Sequence, residues 1–595
     1  MYERILRVPV IIAILLGTQT TARSETLQVS SVASRTSGAA PLAVFFDATG
    51  TTCSACAKPF HDLHYSWDFG DPGSGNWTTR DRSRNQALGP TAAHVFERPG
   101  TYRVTLNVLA GDGSSQQIVT TINVVDPELQ WPGEATYCFS TQGVFTGCPA
   151  GASRITASSF NDAMTRCASA ARRCLFRRGE TFSSTEVGLK ARGPGLIGAF
   201  GSDPSRPKVR FANDGFSMRF FGGAHDWRLV DLEFQGSASS KTSIMAGEGA
   251  VNNLLILRTA VVPGTYHAGL SLSGTALDYY GSDLHDGVFV VENEWRDFGF
   301  GSGGTIVFMA ARRMALMGNT FDDSIGGEHV IRVQHGEKGV ISYNNLGRQA
   351  AAKHVLTVRS RNLADSCSGG CGRRSKEFVI SENTFLGLDD VTVALTQRNK
   401  STDTAGGQDF IVERNFFAKG TGVDHGLQVA LFTADTDNVT VRNNIVLMKD
   451  WQGYRGIQLN GTSNAYNNSC FAPGSSTGAV RCVVTDATAK ASNNILFGPN
   501  AADLRVVDGP GDSGGNLEAA QTSPFSSASP TQPPDFRLTD GSMARDAGIP
   551  IGANLVDYDG NPRPSGSRFD VGAFELQDGA PPPAGTLPLA PVLLD

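Results

Sequence analysis

The sequence predicts an all-β protein: a right-handed parallel β-helix preceded by a small Ig-like β-sandwich. Three observations carry that expectation. From Ser158 to Glu575 one phrase returns, a short β-rich run, then Asn, then usually an aromatic or aliphatic residue. Residues 27–126 alternate apolar and polar side chains between turn residues, as an antiparallel sandwich does. Ten cysteines fall into five near-neighbour pairs, suited to small staples in a loop-rich fold.

The bulk numbers bound the problem. At 595 residues the chain is too long for one ordinary core, so two or more domains are expected. With 40% hydrophobic and 18% charged residues it has the composition of a folded protein. The net charge is −6 and no basic block is present, so nucleic acid is not an expected partner. Arg4 and Arg7, the apolar run Val8 to Gly17 and Thr20-Thr21-Ala22 read together as a signal peptide over residues 1–22. That run is too short to span a bilayer and no later segment is longer, so the expectation is a secreted or periplasmic monomer. The cysteine pairs are Cys53/Cys56, Cys138/Cys148, Cys167/Cys174, Cys367/Cys371 and Cys470/Cys482, which fit disulfides in an oxidising compartment. Cys53-Ser-Ala-Cys56 also has zinc-ligand spacing, with His61 and His64 following.

Within the front domain, Tyr65-Ser-Trp-Asp-Phe-Gly-Asp71 is followed by His94-Val-Phe-Glu-Arg-Pro-Gly-Thr-Tyr-Arg-Val-Thr-Leu-Asn-Val108. These stretches resemble the polycystic-kidney-disease (PKD) type domain over residues 27–126. The resemblance implies that Trp67 fills the space between two sheets and that Asp68 and Asp71 shape the next turn. It also implies either a spacer, the favoured reading, or a weak carbohydrate- or protein-contact module, with the insertion Cys53 to His64 departing from the usual loop; a linker is expected at 127–157.

The body is read from its repeat. Asn319, Asn345, Asn383, Asn415, Asn444, Asn468 and Asn494 lie 24 to 38 residues apart, the period of a solenoid coil with loops of variable length. Asn tolerates a left-handed corner, and its amide can bond the same amide one coil along. These residues are therefore expected to form a structural ladder, with the member of each Asn-Asn pair left open. Ser158 to Ala171 reads as an amphipathic helix capping the open end of the stack. Cys174-Leu-Phe-Arg-Arg-Gly-Glu-Thr-Phe182 and Gly195-Leu-Ile-Gly-Ala-Phe-Gly201 resemble the opening coils of pectate-lyase-like β-helix proteins, and Phe569-Asp-Val-Gly-Ala-Phe-Glu575 their usual close. The helix is thus expected over 158–575 and a Pro-rich tail over 576–595. That resemblance implies an activity on polysaccharides, although the fold also hosts hydrolases, epimerases and adhesins.

In a coil stack, equivalent positions become neighbours, so chemistry is sought in columns. The runs beginning at Glu328, Lys353, Leu388, Asp424 and Tyr454 align by their apolar pattern, with Ile331, Leu356, Val391, Leu427 and Ile457 facing inward. Arg332, Gln334, Thr357, Arg359, Thr392, Gln428, Gln458 and Asn460 then face outward as a polar stripe fit for an extended sugar chain. His329, His354 and His425 form a second column at the strand starts. They could equally be corner residues bonded to neighbouring carbonyls, and strict alternation from Ile331 and Leu356 turns them inward.

A lyase cleaving a uronic-acid polysaccharide by β-elimination needs a base, a cation for the carboxylate and a donor for the leaving oxygen. Lys353 or His354 suits the base, Arg332 and Arg359 the carboxylate clamp, and His329 completes the catalytic set. Gln334, Thr357, His425, Gln428, Gln458 and Asn460 are the expected substrate contacts. Calcium is a possible cofactor at Asp322-Asp323 or at Phe385 to Asp390. Lyases of alginate and dermatan type carry an L-R-H-G strand; here Val333-Gln-His-Gly336 puts Gln334 in place of the Arg. A hydrolase would need two facing carboxylates, for which Asp389, Asp390 and Asp424 are nearest. A non-catalytic glycan-binding helix is the remaining alternative.

Overall fold

The computed structural model describes residues 27–577 apart from short stretches, the longest being 273–283, 361–374, 396–406 and 420–427. The expected signal peptide lies outside the described residues. The body is a parallel β-helix whose strands stack into three parallel sheets. Sheet A runs through Phe216–Phe221, Ala268–Leu272, Leu356–Val358, Val391–Leu395, Gln428–Phe432 and Tyr454–Leu459. Sheet B runs through Arg173–Arg177, Trp227–Val230, His285–Val291, Lys376–Ser381, Gln408–Glu413 and Asp437–Arg442. Sheet C has 13 strands, from Thr181–Ser184 to Leu517–Ala519. Two long strands, Val307–Met317 and Ile331–Ser342, run through the corner and belong to both A and B.

Inside, like stacks on like. Phe378 lies on Phe410 with ring centroids 5.2 Å apart, and Phe385 on Phe417 at 4.9 Å. The ladder runs Asn293, Asn319, Asn344, Asn383, Asn415, Asn444, Asn468, Asn494, Asn516, each Nδ2 donating to the next Oδ1 at 2.8–3.1 Å. Asn344, not Asn345, is the member from its coil. The left-handed turn is taken by the residue before each ladder amide: Glu292, Gly318, Tyr343, Glu382, Arg414, Asn443, Asn467, Asn493 and Gly515 all have positive φ. The ladder side chain must reach along the stack from ordinary backbone, so the corner falls to its neighbour.

The helix Phe160–Cys167 lies over the start of the stack. Ser159 is its N-cap, accepting from the Asp162 amide at 3.2 Å, and Phe160, Ala163, Met164 and Cys167 are buried on the first coil. Residues 127–157 are not a linker. Thr136–Ser140 pairs in parallel with both Ser153–Thr156 and Arg173–Arg177, so the helix begins there. Four of the cysteine pairs are disulfides, Cys53–Cys56 among them, which sets the zinc reading aside. Cys367 and Cys371 lie outside the described residues. Such bonds belong to an extracytoplasmic compartment, and no helix of the described residues is long and apolar enough to cross a membrane.

The front domain is a sandwich of a three-stranded and a five-stranded sheet. Trp67 fills its core 5.5 Å from Phe46 and donates from Nε1 to the Gly89 carbonyl at 2.9 Å. Asp68 caps the following turn, accepting from Gly70 N at 2.8 Å. The domain is not a detached spacer. Its Ala43, Phe45, Ala93 and Val95 pack with Trp77 on the outer face of sheet B, against Leu255, Leu257, Phe289, Val291 and Met317. Trp77 stacks on Tyr343 at 5.0 Å, and Arg80–Glu382, Arg84–Glu292 and Arg258–Glu97 ion pairs ring the contact at 2.8, 3.3 and 2.7 Å.

Candidate functional site

The candidate site is built where sheet A begins its strands in two adjacent coils. Ile331, Arg332 and Val333 pair in register with Leu356, Thr357 and Val358. The inward column continues through Val393, Leu431 and Ile457. The expected column had Val391 and Leu427 instead. Variable loops displaced the alignment by two and four residues, and an even shift leaves each side chain on its expected face. The outward column therefore reads Phe308, Arg332, Thr357, Ala394, Phe432, Gln458. The expected continuous polar stripe is broken by Ala394 and Phe432.

Two guanidinium groups dominate what remains. Arg332 is half-buried, lies over the Phe308 ring at 5.5 Å and donates from Nε to Gln334 Oε1 at 3.0 Å. Gln334 is the extra residue of a bulge, because Met309 pairs with Val333 and Ala310 with His335. Its buried amide buttresses Arg332 from the same strand. Arg359, also half-buried, closes the next coil's strand and donates its backbone N–H to the Val333 carbonyl at 2.8 Å. Burial, with Arg332 close by, pushes Arg359 down to about 10, only partly opposed by Glu328. Thr357 between them is fully buried, with no hydrogen-bond partner for its hydroxyl.

At the strand starts the two histidines stack, with centroids 5.1 Å apart and planes 24° from parallel. The His354 backbone N–H donates to His329 Nδ1 at 2.9 Å, so His329 in its neutral form carries its hydrogen on Nε2. Burial first, then the positive field of His354, Arg359, Arg332 and Lys353, pushes His329 down to about 2. His285 and His225 do the same elsewhere, accepting the amides of Val251 at 3.0 Å and Asn252 at 3.2 Å. A histidine accepting a corner amide is thus a recurrent structural device of this chain, and His329 is one case of it. Lys353 donates from Nζ to Glu328 Oε1 at 3.0 Å.

Sheet A thus gathers Arg332, Arg359, His329, His354 and Lys353 around Glu328. Glu328, which flanks His329 in the sequence, pairs with Lys353 Nζ at 3.0 Å and lies 3.7 Å from His329 Nε2. Gln458 is held by Arg455 at 3.3 Å, two coils beyond Thr357's neighbour Ala394, and Asn460 sits at the following corner, its N–H on Thr433 Oγ1 at 2.9 Å. These two are not part of the cluster. His425, Asp389, Asp390 and Asp424 lie outside the described residues, as does the Gln428 side chain. The Asp322 carboxylate faces Arg348 at 3.4 Å, and no group of three or more potential metal ligands occurs among the described residues.

Comparison with known proteins agrees with the front domain: residues 26–123 match the PKD domain family. No curated protein matches the chain. Among solved structures it is similar to the periplasmic alginate epimerase AlgG, at 10% identity and a TM-score of 0.35 over 59% of this chain and 78% of that one. The tailspike protein of E. coli bacteriophage HK620 aligns at 10% identity and TM-score 0.41, over 64% and 80%. Pectate lyase Pel9A aligns at 13% and 0.34, over 74% and 96%.

Proposed function

We propose that the protein acts on an anionic polysaccharide outside the cytoplasm, as a lyase that cleaves next to a uronate by β-elimination. The observation that carries this reading is the convergence of Arg332 and Arg359 from adjacent coils beside the stacked His329 and His354. Two guanidinium groups this close repel one another, and a carboxylate between them relieves that repulsion with paired hydrogen bonds. In the proposed step Arg332 and Arg359 grip the uronate carboxylate and stabilise the charge that builds on it. His354 removes the proton on the carbon beside that carboxylate. The electron pair forms a carbon–carbon double bond as the bond to the glycosidic oxygen breaks. Lys353, positioned by Glu328, donates the proton to that oxygen. His329 orients His354 and takes no proton itself.

The reading is tested by screening anionic and neutral polysaccharides for new unsaturated, ultraviolet-absorbing ends. Such ends, abolished in His354→Ala with the melting temperature retained, are the expected result. New reducing ends without unsaturation would instead point to a hydrolase using Asp389, Asp390 or Asp424. Retention of a polymer with no cleavage at all would mark the helix as a binder.

A further inference from the structure

A concavity that shares no lining residue with the cation cluster lies between the front domain and the flank of sheet B. The disulfide-clipped insert Cys53 to Asp62 and the hairpin tip at Ala110 to Asp112 form one wall. Strands Asp437–Arg442 and Asn464–Tyr466 form the other, and Ile551-Gly552 closes one end. The cleft encloses about 350 Å³, inside the range of roughly 300–1,000 Å³ typical of small-ligand sites, which favour domain interfaces.

Its walls are held from both sides. Lys58 Nζ donates to Asn438 Oδ1 at 2.6 Å across the domain boundary. His61 bridges deeper down: its Nδ1 meets the Thr440 hydroxyl at 3.0 Å and its Nε2 the Asp409 carboxylate at 3.4 Å. The floor, made of His61, Thr440 and Arg442, is buried, while Ala55, Gly111, Asp112 and Gly552 at the rim are exposed. Such a site is preorganised, so a ligand entering it does not have to order the walls.

Its chemistry differs from that of the cation cluster. Lys58 and Arg442 are matched by Asp62 and Asp112, so the lining carries no net charge. Arg442 is further neutralised by Glu413, to which its Nε donates at 2.7 Å. Tyr466 and Asn464, both half-buried, offer an aromatic ring and an amide from alternate positions of one strand. A ring for the C–H face of a sugar and an amide for its hydroxyls is a lining that suits a polyhydroxylated, uncharged molecule.

We infer that this interdomain cleft is a binding site for an uncharged saccharide unit, with Tyr466 as its stacking platform and Asn464 and Asp62 as its hydroxyl partners. The front domain then contributes to glycan binding through its insert, at a place separate from the cation cluster. The inference does not depend on the lyase reading, since it is tested by binding and not by cleavage.

The test is calorimetric titration of the whole chain with cello-, malto-, manno- and xylotetraose, alongside tetragalacturonate. At least one neutral tetrasaccharide is expected to bind, and Tyr466→Ala and Asn464→Ala are each expected to weaken it about tenfold or more. Tyr466→Phe should retain most of the affinity, because the ring is kept. Melting curves check that each variant is folded, and Asp62→Asn supplies a second route should Tyr466→Ala unfold. Absence of binding by all four neutral sugars at about 10 mM, binding of tetragalacturonate alone, or neutral binding indifferent to Tyr466, Asn464 and Asp62 would each overturn the inference.

Discussion

At the scale of the residue, the cation cluster turns on hydrogen-bond geometry as much as on charge. Arg332→Lys and Arg359→Lys keep the charge but lose the two-bond grip on a carboxylate. Each is expected to lower kcat/KM on the anionic polymer by about tenfold or more, roughly one lost charge-assisted hydrogen bond; steady-state kinetics with a melting control checks this. His329 makes the opposite case. Held at about 2 by burial and positive neighbours, it stays neutral across the working pH range. His329→Asn, whose amide oxygen can still accept the His354 N–H, should therefore leave the shape of the pH–rate profile unchanged. A moved acid limb in that variant would show that His329 titrates during turnover. Arg332 and Arg359 were legible on one face because alternation is a local property of each strand, whereas the same alternation turns His329 and His354 inward. The Lys353–Glu328 ion pair and the His354–His329 amide bond were not legible, since both cross between coils.

At the scale of the element, the corner is where one substitution propagates furthest. Asn383 donates to Asn415 Oδ1 at 2.9 Å and to the Ile341 carbonyl at 2.8 Å. It accepts from the Asn344 amide at 3.0 Å and from Asn344 Nδ2 at 2.8 Å. Asn383→Leu removes all four bonds and strands buried groups in the coils on either side. A loss on the order of 3 kcal/mol is expected, and clearly less for Asn516→Leu at the half-exposed end of the ladder. Urea denaturation of the two variants side by side measures it; equal losses would mean that the interior ladder bonds are not special.

At the scale of the molecule, the docked front domain changes how the whole chain is held together. Phe45 is fully buried and faces sheet B rather than the sandwich's own core. Phe45→Asp puts an unpaired carboxylate into that dry contact while leaving the sandwich interior untouched. Calorimetry of the parent is expected to show the front domain and the helix melting together, and that of the variant a separate, earlier transition. A single unshifted transition in the variant would show that the contact contributes little. Acid attacks an ion-pair cluster of the helix that lies beside the front domain. Burial alone would raise Glu413, but Arg414 and Arg442 on either side hold it down at about 2. A carboxyl depressed in the folded state stabilises above its unfolded value of 4.5 and ceases to do so as pH falls toward about 2. The urea midpoint should drop across that window in the parent and less steeply in Glu413→Gln, which begins lower at neutral pH.

What the sequence by itself determined is everything that repeats or closes locally. Strand alternation marked the inward faces, the Asn phrase marked the corners, and cysteines a few residues apart found one another because short loops cost little entropy to close. The same holds for the capping helix, whose Ser159 cap and buried Phe160, Ala163, Met164 and Cys167 lie within one short segment. Only the tertiary structure decided which residues meet across coils and across domains. Loops of unequal length erase the count between one strand and the next, so Val393 and Leu431, not Val391 and Leu427, stand in the inward column. The choice of Asn344 over Asn345 depends on a partner 39 residues away, and Trp77 finds Tyr343 from another domain altogether. Each of these contacts is chosen by the shape of a surface that forms only once the coils have stacked, and no local pattern of side chains encodes that shape.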